Sequence, residues 1–320
     1  MMNTNEAAIE VSNLVKVFEK RGSLPVRALD GISFTVRRGE IFGLLGPNGA
    51  GKTTTIRILT TLLKPTGGRA MVGGRDVQLS PLDVRRQLCV VLQDNAVELF
   101  LSVLDNLRTF GRFHGMAKQD LRKRMDHVLG LFGLDEIRNT KAIDLSGGIK
   151  RRLQVAKVFL TQKPIVFLDE ATTGMDALNK RTTLGAIREE ARKGRTIVLT
   201  THILEEAEEL CDDLAIINHG AVVARGSVES VKRLGLGYVT LRLEFGRVTR
   251  SLERWLKGLS PLRLEIKGHS VEMTISKDAN LFTLLARIHK EHRVASFEVA
   301  GASLEDVFVD LLDRPKGTPP

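Results

Sequence analysis

Residues 46–54 read Gly46-Pro47-Asn48-Gly49-Ala50-Gly51-Lys52-Thr53-Thr54. The spacing of the glycines and the closing Lys-Thr fit a phosphate loop. Glycines let successive backbone N–H groups turn inward around the β- and γ-phosphates with no Cβ in the way. Lys52 adds a point charge to those phosphates, and the Thr53 hydroxyl is a ligand for Mg2+. The flanks supply the context that the motif requires. Residues 41–45 form an apolar, strand-sized run, and residues 52–63 have helical periodicity. The loop therefore joins a strand to a helix whose positive N-terminus faces the anion. The chain is expected to hold ATP at Gly46, Asn48, Gly49, Gly51, Lys52, Thr53 and Thr54, and to hydrolyse it.

Two stretches further along complete that chemistry. Pro164-Ile165-Val166-Phe167-Leu168-Asp169-Glu170 is an apolar strand ending in two carboxylates. Asp169 is placed to hold Mg2+, directly or through water. Glu170, next along, would lie near the γ-phosphate and polarise the attacking water. Between the two motifs, Leu145-Ser146-Gly147-Gly148 opens an amphipathic helix that continues through residues 150–159. Ser146 reads as an N-cap, and the glycine pair also lets backbone amides approach an anion closely.

The rest of the first 235 residues alternates strand and helix. Residues 8–17, 33–36, 88–92, 166–168 and 196–200 read as strands, with helical stretches over 98–142 and 179–193, the alternation of a parallel α/β sheet. Residues 214–218 and 221–224 read as a hairpin around His219-Gly220. Gly235 and Gly237 mark a boundary. Beyond it, residues 238–245, 250–257, 262–267, 271–276, 281–289 and 295–299 read βαββαβ, the order of a small ferredoxin-like domain, followed by a helix over 304–312. Three segments are expected: 1–235, an ATPase domain; 236–313, a small accessory α+β domain; and 314–320, a Pro/Gly-rich disordered tail.

Leu145–Gly148 between a phosphate loop and a Leu168-Asp169-Glu170 strand end resembles the signature motif of ABC-type ATPases, although that family usually has Gln where this chain has Ile149. The resemblance implies an α/β fold of the P-loop NTPase type, an ABC cassette with a parallel core sheet, an antiparallel β subdomain and a helical subdomain. It also implies roles for further residues. Gln93 matches the glutamine that senses Mg2+ and the γ-phosphate beside the membrane partner. Asp176, in Thr172-Thr173-Gly174-Met175-Asp176-Ala177, matches the aspartate that organises the dimer interface. His202 matches the switch histidine that contacts the γ-phosphate and acts with Glu170 in catalysis. Phe18 matches the aromatic that stacks on adenine, with a place in the core as its alternative. In this family the nucleotide lies between the phosphate loop of one subunit and Ser146, Gly147 and Gly148 of the other, so a homodimer with composite ATP sites is implied. The segment 200–213 resembles transporter subunits. The segment 302–308 resembles exporter ATPases that serve ABC-2-type membrane partners, the daunorubicin-resistance-like group. The implied protein is the ATPase of a drug, antibiotic or lipid exporter, working with a separate ABC-2-type permease at the cytoplasmic face of the membrane.

Composition agrees with a globular protein. Hydrophobic residues make up 42% and charged residues 27% of the chain, so a disordered chain is excluded. No apolar run approaches the roughly 18–20 residues of a membrane-spanning helix, and residues 1–9 lack a signal pattern. Cys89 and Cys211 sit alone and read as buried reduced thiols. The net charge of +10 is the sole support for a rival reading, a soluble ABC ATPase acting on nucleic acid. One Tyr and one Trp leave little for base stacking, and no nucleic-acid partner is expected.

Overall fold

The computed structural model describes residues 6–19, 22, 24–93, 96–234, 238–276, 281–301 and 303–313. The chain forms two compact units, divided between Arg225 and Gly226, near the end of the strand Ala221–Ser227. Gly235, Gly237 and the expected tail at 314–320 lie outside the described residues.

The first unit runs β1 (Ala7–Phe18), β2 (Val26–Arg37), β3 (Ile41–Leu45), α1 (Lys52–Leu59), β4 (Gly67–Val72), β5 (Arg75–Asp76), α2 (Pro81–Gln87), β6 (Leu88–Val91), α3 (Val103–Phe113), α4 (Lys118–Leu131), α5 (Gly147–Leu160), β7 (Ile165–Asp169), α6 (Ala177–Arg192), β8 (Thr196–Thr201), α7 (Leu204–Leu210), β9 (Asp213–Asn218) and β10 (Ala221–Ser227). Strand order in the main sheet is β10-β9-β3-β8-β7-β6, parallel from β9 through β6. A second sheet, β2-β1-β4-β5, is antiparallel.

Every residue of β3 and of β7 is buried, as parallel strands covered on both faces must be. Their side chains divide between two cores by the two-residue period of a strand. Phe42, Leu44, Ile165 and Phe167 enter the core shared with α1 and the antiparallel sheet. Ile41, Val166 and Leu168 enter the core shared with α3, α4 and α5. The same parity gives Asp169 the face of Ile165 and Phe167, the face of α1.

Helix α1 ends at Leu59, four residues short of the periodic stretch. Thr61 turns left-handed at φ 64°, and the N–H groups of Leu62 and Leu63 both return to the Arg57 carbonyl. Two β-branched threonines followed by Pro65 make continuation costly. The helical region over 98–142 resolves into α3 and α4, which pack on α5.

A fully buried carboxylate ties this helical arm to the sheet. Glu190 of α6 meets Arg124 of α4 at 2.6 Å, Lys193 at 2.7 Å, and Arg195 and His127 at 3.3 Å. Burial pushes its pKa up, but Lys193, Arg195 and Arg124 together hold it below the ordinary value of 4.5.

The second unit contains α8 (Val228–Arg233), β11 (Tyr238–Phe245), α9 (Arg250–Gly258), β12 (Arg263–Lys267), β13 (Ser270–Ser276), α10 (Leu281–His292), β14 (Val294–Gly301) and α11 (Leu304–Asp313). Its sheet has the order β12-β13-β11-β14 with antiparallel neighbours, the arrangement of a split βαβ unit. Leu241, Leu243, Met273, Leu252, Leu256 and Ile288 fill its core. Ser303 and Asp306 cap α11 reciprocally: the Ser303 hydroxyl accepts from the Asp306 N–H, and the Asp306 carboxylate accepts from the Ser303 N–H. Asp306 also accepts from Thr240 and Thr274, fastening α11 to β11 and β13. No helix among the described residues is long and apolar enough to cross a membrane.

The Glu190 cluster makes stability pH-dependent. A carboxylate with a depressed pKa contributes fully above its unfolded value and loses that contribution as pH falls through its folded value. Glu190→Gln is expected to lower unfolding stability by about 3–5 kcal/mol at neutral pH, because buried arginines lose their partner. The gap to wild type should narrow as pH drops below 4.5. Urea midpoints measured across pH would check both points.

Candidate active site

The phosphate loop leaves the end of β3 and closes into α1 through Gly51, which caps the helix with φ 113°. A Cβ there would lie 2.7 Å from the Ala28 carbonyl oxygen and from Leu29 Cδ2. Only glycine fits both the left-handed backbone and the close approach of β2. One at Gly46 would lie 2.2 Å from the Ile217 carbonyl oxygen of β9. The loop is thus moulded by the strands beneath it.

Lys52 is buried in this loop. Its Nζ donates to the carbonyls of Gly46 at 2.7 Å and Pro47 at 3.0 Å and stands 4.0 Å from Glu170 Oε1. Burial lowers its pKa, while Glu170 and Asp169 act in the opposite sense. The ammonium is therefore short of counter-charge, which an incoming phosphate would supply.

Asp169 is fully buried. Its Oδ1 accepts hydrogen bonds from Thr53 at 3.2 Å and Thr200 at 2.6 Å. Its Oδ2 is buried without a hydrogen-bond partner. A carboxyl oxygen left bare beside a threonine hydroxyl is the kind of oxygen ligand a hard cation takes.

Glu170 follows in a left-handed backbone conformation, φ 50°, which costs a glutamate on the order of 1–3 kcal/mol. This turn breaks the strand's alternation and swings the carboxylate into the cleft. Gln93 Nε2 donates to its Oε2 at 2.9 Å, and His202 Nδ1 stands 3.5 Å from Oε1. Lys52, Gln93 and His202, from three different segments, thus converge on one carboxylate. The two loops that carry Thr172 and His202 are fixed from below by buried Glu206, which accepts from Thr172 at 2.7 Å and Thr201 at 2.9 Å and pairs with Lys180 at 2.8 Å.

A cavity of about 350 Å3 opens over these groups, lined by Ala28, Asn48, Gly49, Gly51, Lys52, Thr53, Thr54, Gln93 and Glu170. Asp169 lies beneath Thr53, and His202 is half-exposed beside Glu170. The remaining expected residues are not in the lining. Phe18 is exposed at the end of β1, with Lys16 Nζ 5.1 Å from its ring centre. Ser146 caps α5, accepting from the Ile149 N–H at 3.3 Å. Space is open around a Cβ built at Gly147, while one at Gly148 would lie 3.4 Å from Met175 Cα. Asp176 caps α6 through the Asn179 N–H at 2.9 Å, and that bond and the Asn179 side chain lower its pKa.

Sequence reading missed three contributors. Ala28 lines the cavity from β2. Thr200 donates to Asp169 and also accepts from the Glu170 N–H at 3.0 Å. Arg151 donates to the backbone carbonyls of Asp169, Glu170 and Leu92. Thr200 gave a faint signal, a hydroxyl at the end of an apolar strand.

Residues 29–173 match a family model described as ABC transporter. Over 98% of its length, the chain is 36% identical to the daunorubicin/doxorubicin resistance ATP-binding protein DrrA of Streptomyces peucetius, of which it covers 95%. The chain belongs to the ABC transporter ATP-binding family. It binds nucleotide and is an ATPase with the P-loop ABC fold and a small α+β C-terminal unit. It is also 34% identical to the Nod factor export ATP-binding protein I of Ralstonia nicotianae, over 89% of each chain. Among solved structures, an ATP-binding subunit of an ABC transporter superposes with a TM-score of 0.63 at 29% identity, covering 71% of this chain and 92% of the other. A dimeric ATP-binding cassette bound to ADP and phosphate shares the fold, with a TM-score of 0.62 at 24% identity over 68% of this chain and 98% of the other.

Lys52→Ala removes the one charge in the loop. Hydrogen bonds to charged groups contribute about 1.5–3 kcal/mol, so ATP affinity should fall roughly 10- to 150-fold. Titration with a fluorescent ATP analogue would read this; unchanged affinity would count against the loop's role.

Proposed function

We propose that this ATPase powers an ABC-2-type exporter of a drug, antibiotic or lipid, as a homodimer attached to a separate permease at the cytoplasmic face of the membrane. The export reading is supported by the relatives, which are named for daunorubicin and doxorubicin resistance and for Nod factor export. The dimer reading is carried by one observation. The cavity over the phosphate loop is lined by one end of the cassette, whereas Ser146, Gly147, Gly148 and Asp176 are absent from that lining. A single chain therefore offers two half-sites. The amides at the start of α5 form a second anion-binding surface, and a second copy can bring that surface over the first chain's nucleotide.

Within the site, Gly46, Asn48, Gly49, Gly51 and Thr54 surround the phosphates with backbone and side-chain donors, and Lys52 neutralises them. Thr53 and the bare oxygen of Asp169 would hold Mg2+, with Gln93 nearby. When bound, that ion offsets phosphate charge as the γ-phosphoryl group leaves. Glu170 orients the attacking water and takes its proton, and Gln93 and His202 fix the carboxylate for that task. Phe18 stacks on the adenine. The unit from Gly226 onward acts as an accessory domain of the dimer. ATP binding closes the dimer, and closure is passed to the permease through the segment after Gln93; hydrolysis reopens it.

Glu170→Gln keeps the shape of the site and removes the base. Turnover should fall on the order of 10²- to 10⁴-fold, while ATP should still drive dimer formation, visible by light scattering on a sizing column. Full steady-state hydrolysis, or a monomer at saturating ATP, would sink the proposal.

A further inference from the structure

We propose that Arg151 is a positioning residue for hydrolysis: its guanidinium clamps the main chain that carries Glu170 and Gln93 and so aims the Glu170 carboxylate. This rests on the reading of Glu170 as the base.

Arg151 stands on α5, one turn beyond the Ser146–Gly148 segment, and its side chain is buried. Its Nη2 donates to the carbonyls of Asp169 at 2.7 Å and Glu170 at 3.1 Å. Its Nη1 donates to the Leu92 carbonyl at 2.8 Å and to Gln154 Oε1 at 2.7 Å, with the Gln93 carbonyl at 3.4 Å. One planar fork therefore spans the ends of two adjacent strands, β6 and β7. Those ends carry the Gln93 and Glu170 side chains that meet at 2.9 Å.

The backbone of Glu170 shows why a clamp is needed. Its left-handed φ of 50° persists only where neighbours over-determine it. Thr200 holds the amide side, through its carbonyl at 3.2 Å and its hydroxyl at 3.0 Å. Arg151 holds the carbonyl side and the preceding carbonyl as well. Release of that side lets the peptide relax and moves the carboxylate from its aim. Burial lowers the pKa of Arg151, and Asp169 and Glu170 offset this. A buried cation is a costly way to pack a helix against a sheet, and its two terminal nitrogens are used here on four backbone carbonyls that no apolar side chain could hold. Lysine has the charge but no fork, so it cannot reach both strand ends in this geometry.

The test compares wild type, Glu170→Gln and Arg151→Lys in steady-state ATP hydrolysis. ATP-driven dimerisation is measured in the Arg151→Lys/Glu170→Gln double variant. Arg151→Lys should lose roughly 10²-fold in kcat, the scale of a one-ångström misplacement. Its KM for ATP should stay within about threefold of wild type and the double variant should still dimerise, since the phosphate loop is untouched. Should the lysine variant fail to fold, Arg151→Gln, which has no charge to bury, is read against the same outcomes. A kcat within about twofold of wild type overturns the proposal. So does loss of ATP affinity or dimerisation in step with kcat, which marks a general structural role. Undiminished turnover in Glu170→Gln overturns the assignment of the base; an inactive Glu170→Gln beside a fully active Arg151→Lys overturns the clamp alone.

Discussion

The hydrogen bonds from Thr53 and Thr200 to a single oxygen of Asp169 join three elements that are far apart in sequence. Thr53 opens α1, Asp169 ends β7 and Thr200 lies opposite it on β8, in the register Asp169↔Thr200. This contact exists only if β7 keeps its parity, if β8 runs parallel beside it, and if α1 begins where the phosphate loop releases it. The apolar side chains enforce all three conditions. Shifting β7 by one residue would exchange Phe167 and Leu168 between the two cores, and it would turn Asp169 away from α1. The folding pattern and the chemistry are therefore one constraint, and the fully buried carboxylate sits where the sheet can least tolerate error.

Much of this was legible in the sequence because it is local. The strand, loop and helix around Gly46–Thr53 are contiguous, and so is the apolar run into Asp169 and Glu170. Period and turn chemistry reveal such segments directly. The βαββαβ order of the second unit was legible for the same reason, through alternation in β11 and β13 and the amphipathic α9 and α10. The end of α1 was not, because a left-handed Thr61 overrides a periodicity that continues to Leu63. Ala28, Thr200 and Arg151 were hidden for a different reason. Their roles depend on what lies across the sheet, and Arg151 in sequence is one member of a short basic run, Lys150-Arg151-Arg152. Its burial is decided by packing between α5 and the strand ends, which no local pattern encodes.

Stability and function draw on the same charged groups in different ways. Glu190 is enclosed by cations and holds the helical arm to the sheet; it has no opening toward solvent, so its energy goes into cohesion. Glu170 is also buried, yet one side faces the cavity, and its neighbours are a lysine at 4.0 Å, a histidine at 3.5 Å and an amide at 2.9 Å. It is held in direction more than in charge. Strain in its backbone is tolerated because Thr200 and Arg151 grip both of its peptides. The role proposed for Glu170 as the base needs this arrangement, in which the aim of the carboxylate is rigid.

Ile149, in place of the glutamine usual in this family, belongs to the same logic. The anion-binding capacity at the start of α5 comes from backbone N–H groups, which do not depend on the side chain at this position. The Ile149 N–H is itself occupied by the Ser146 hydroxyl as a helix cap. Its side chain packs, partly buried, against the core of the helical arm. An apolar residue here fastens the first turn of α5 to that core. Arg151 follows two residues later on the same rigid helix, gripping the ends of β6 and β7. The start of α5 and the Arg151 clamp proposed for the Glu170 carboxylate are thereby separated by one helical turn.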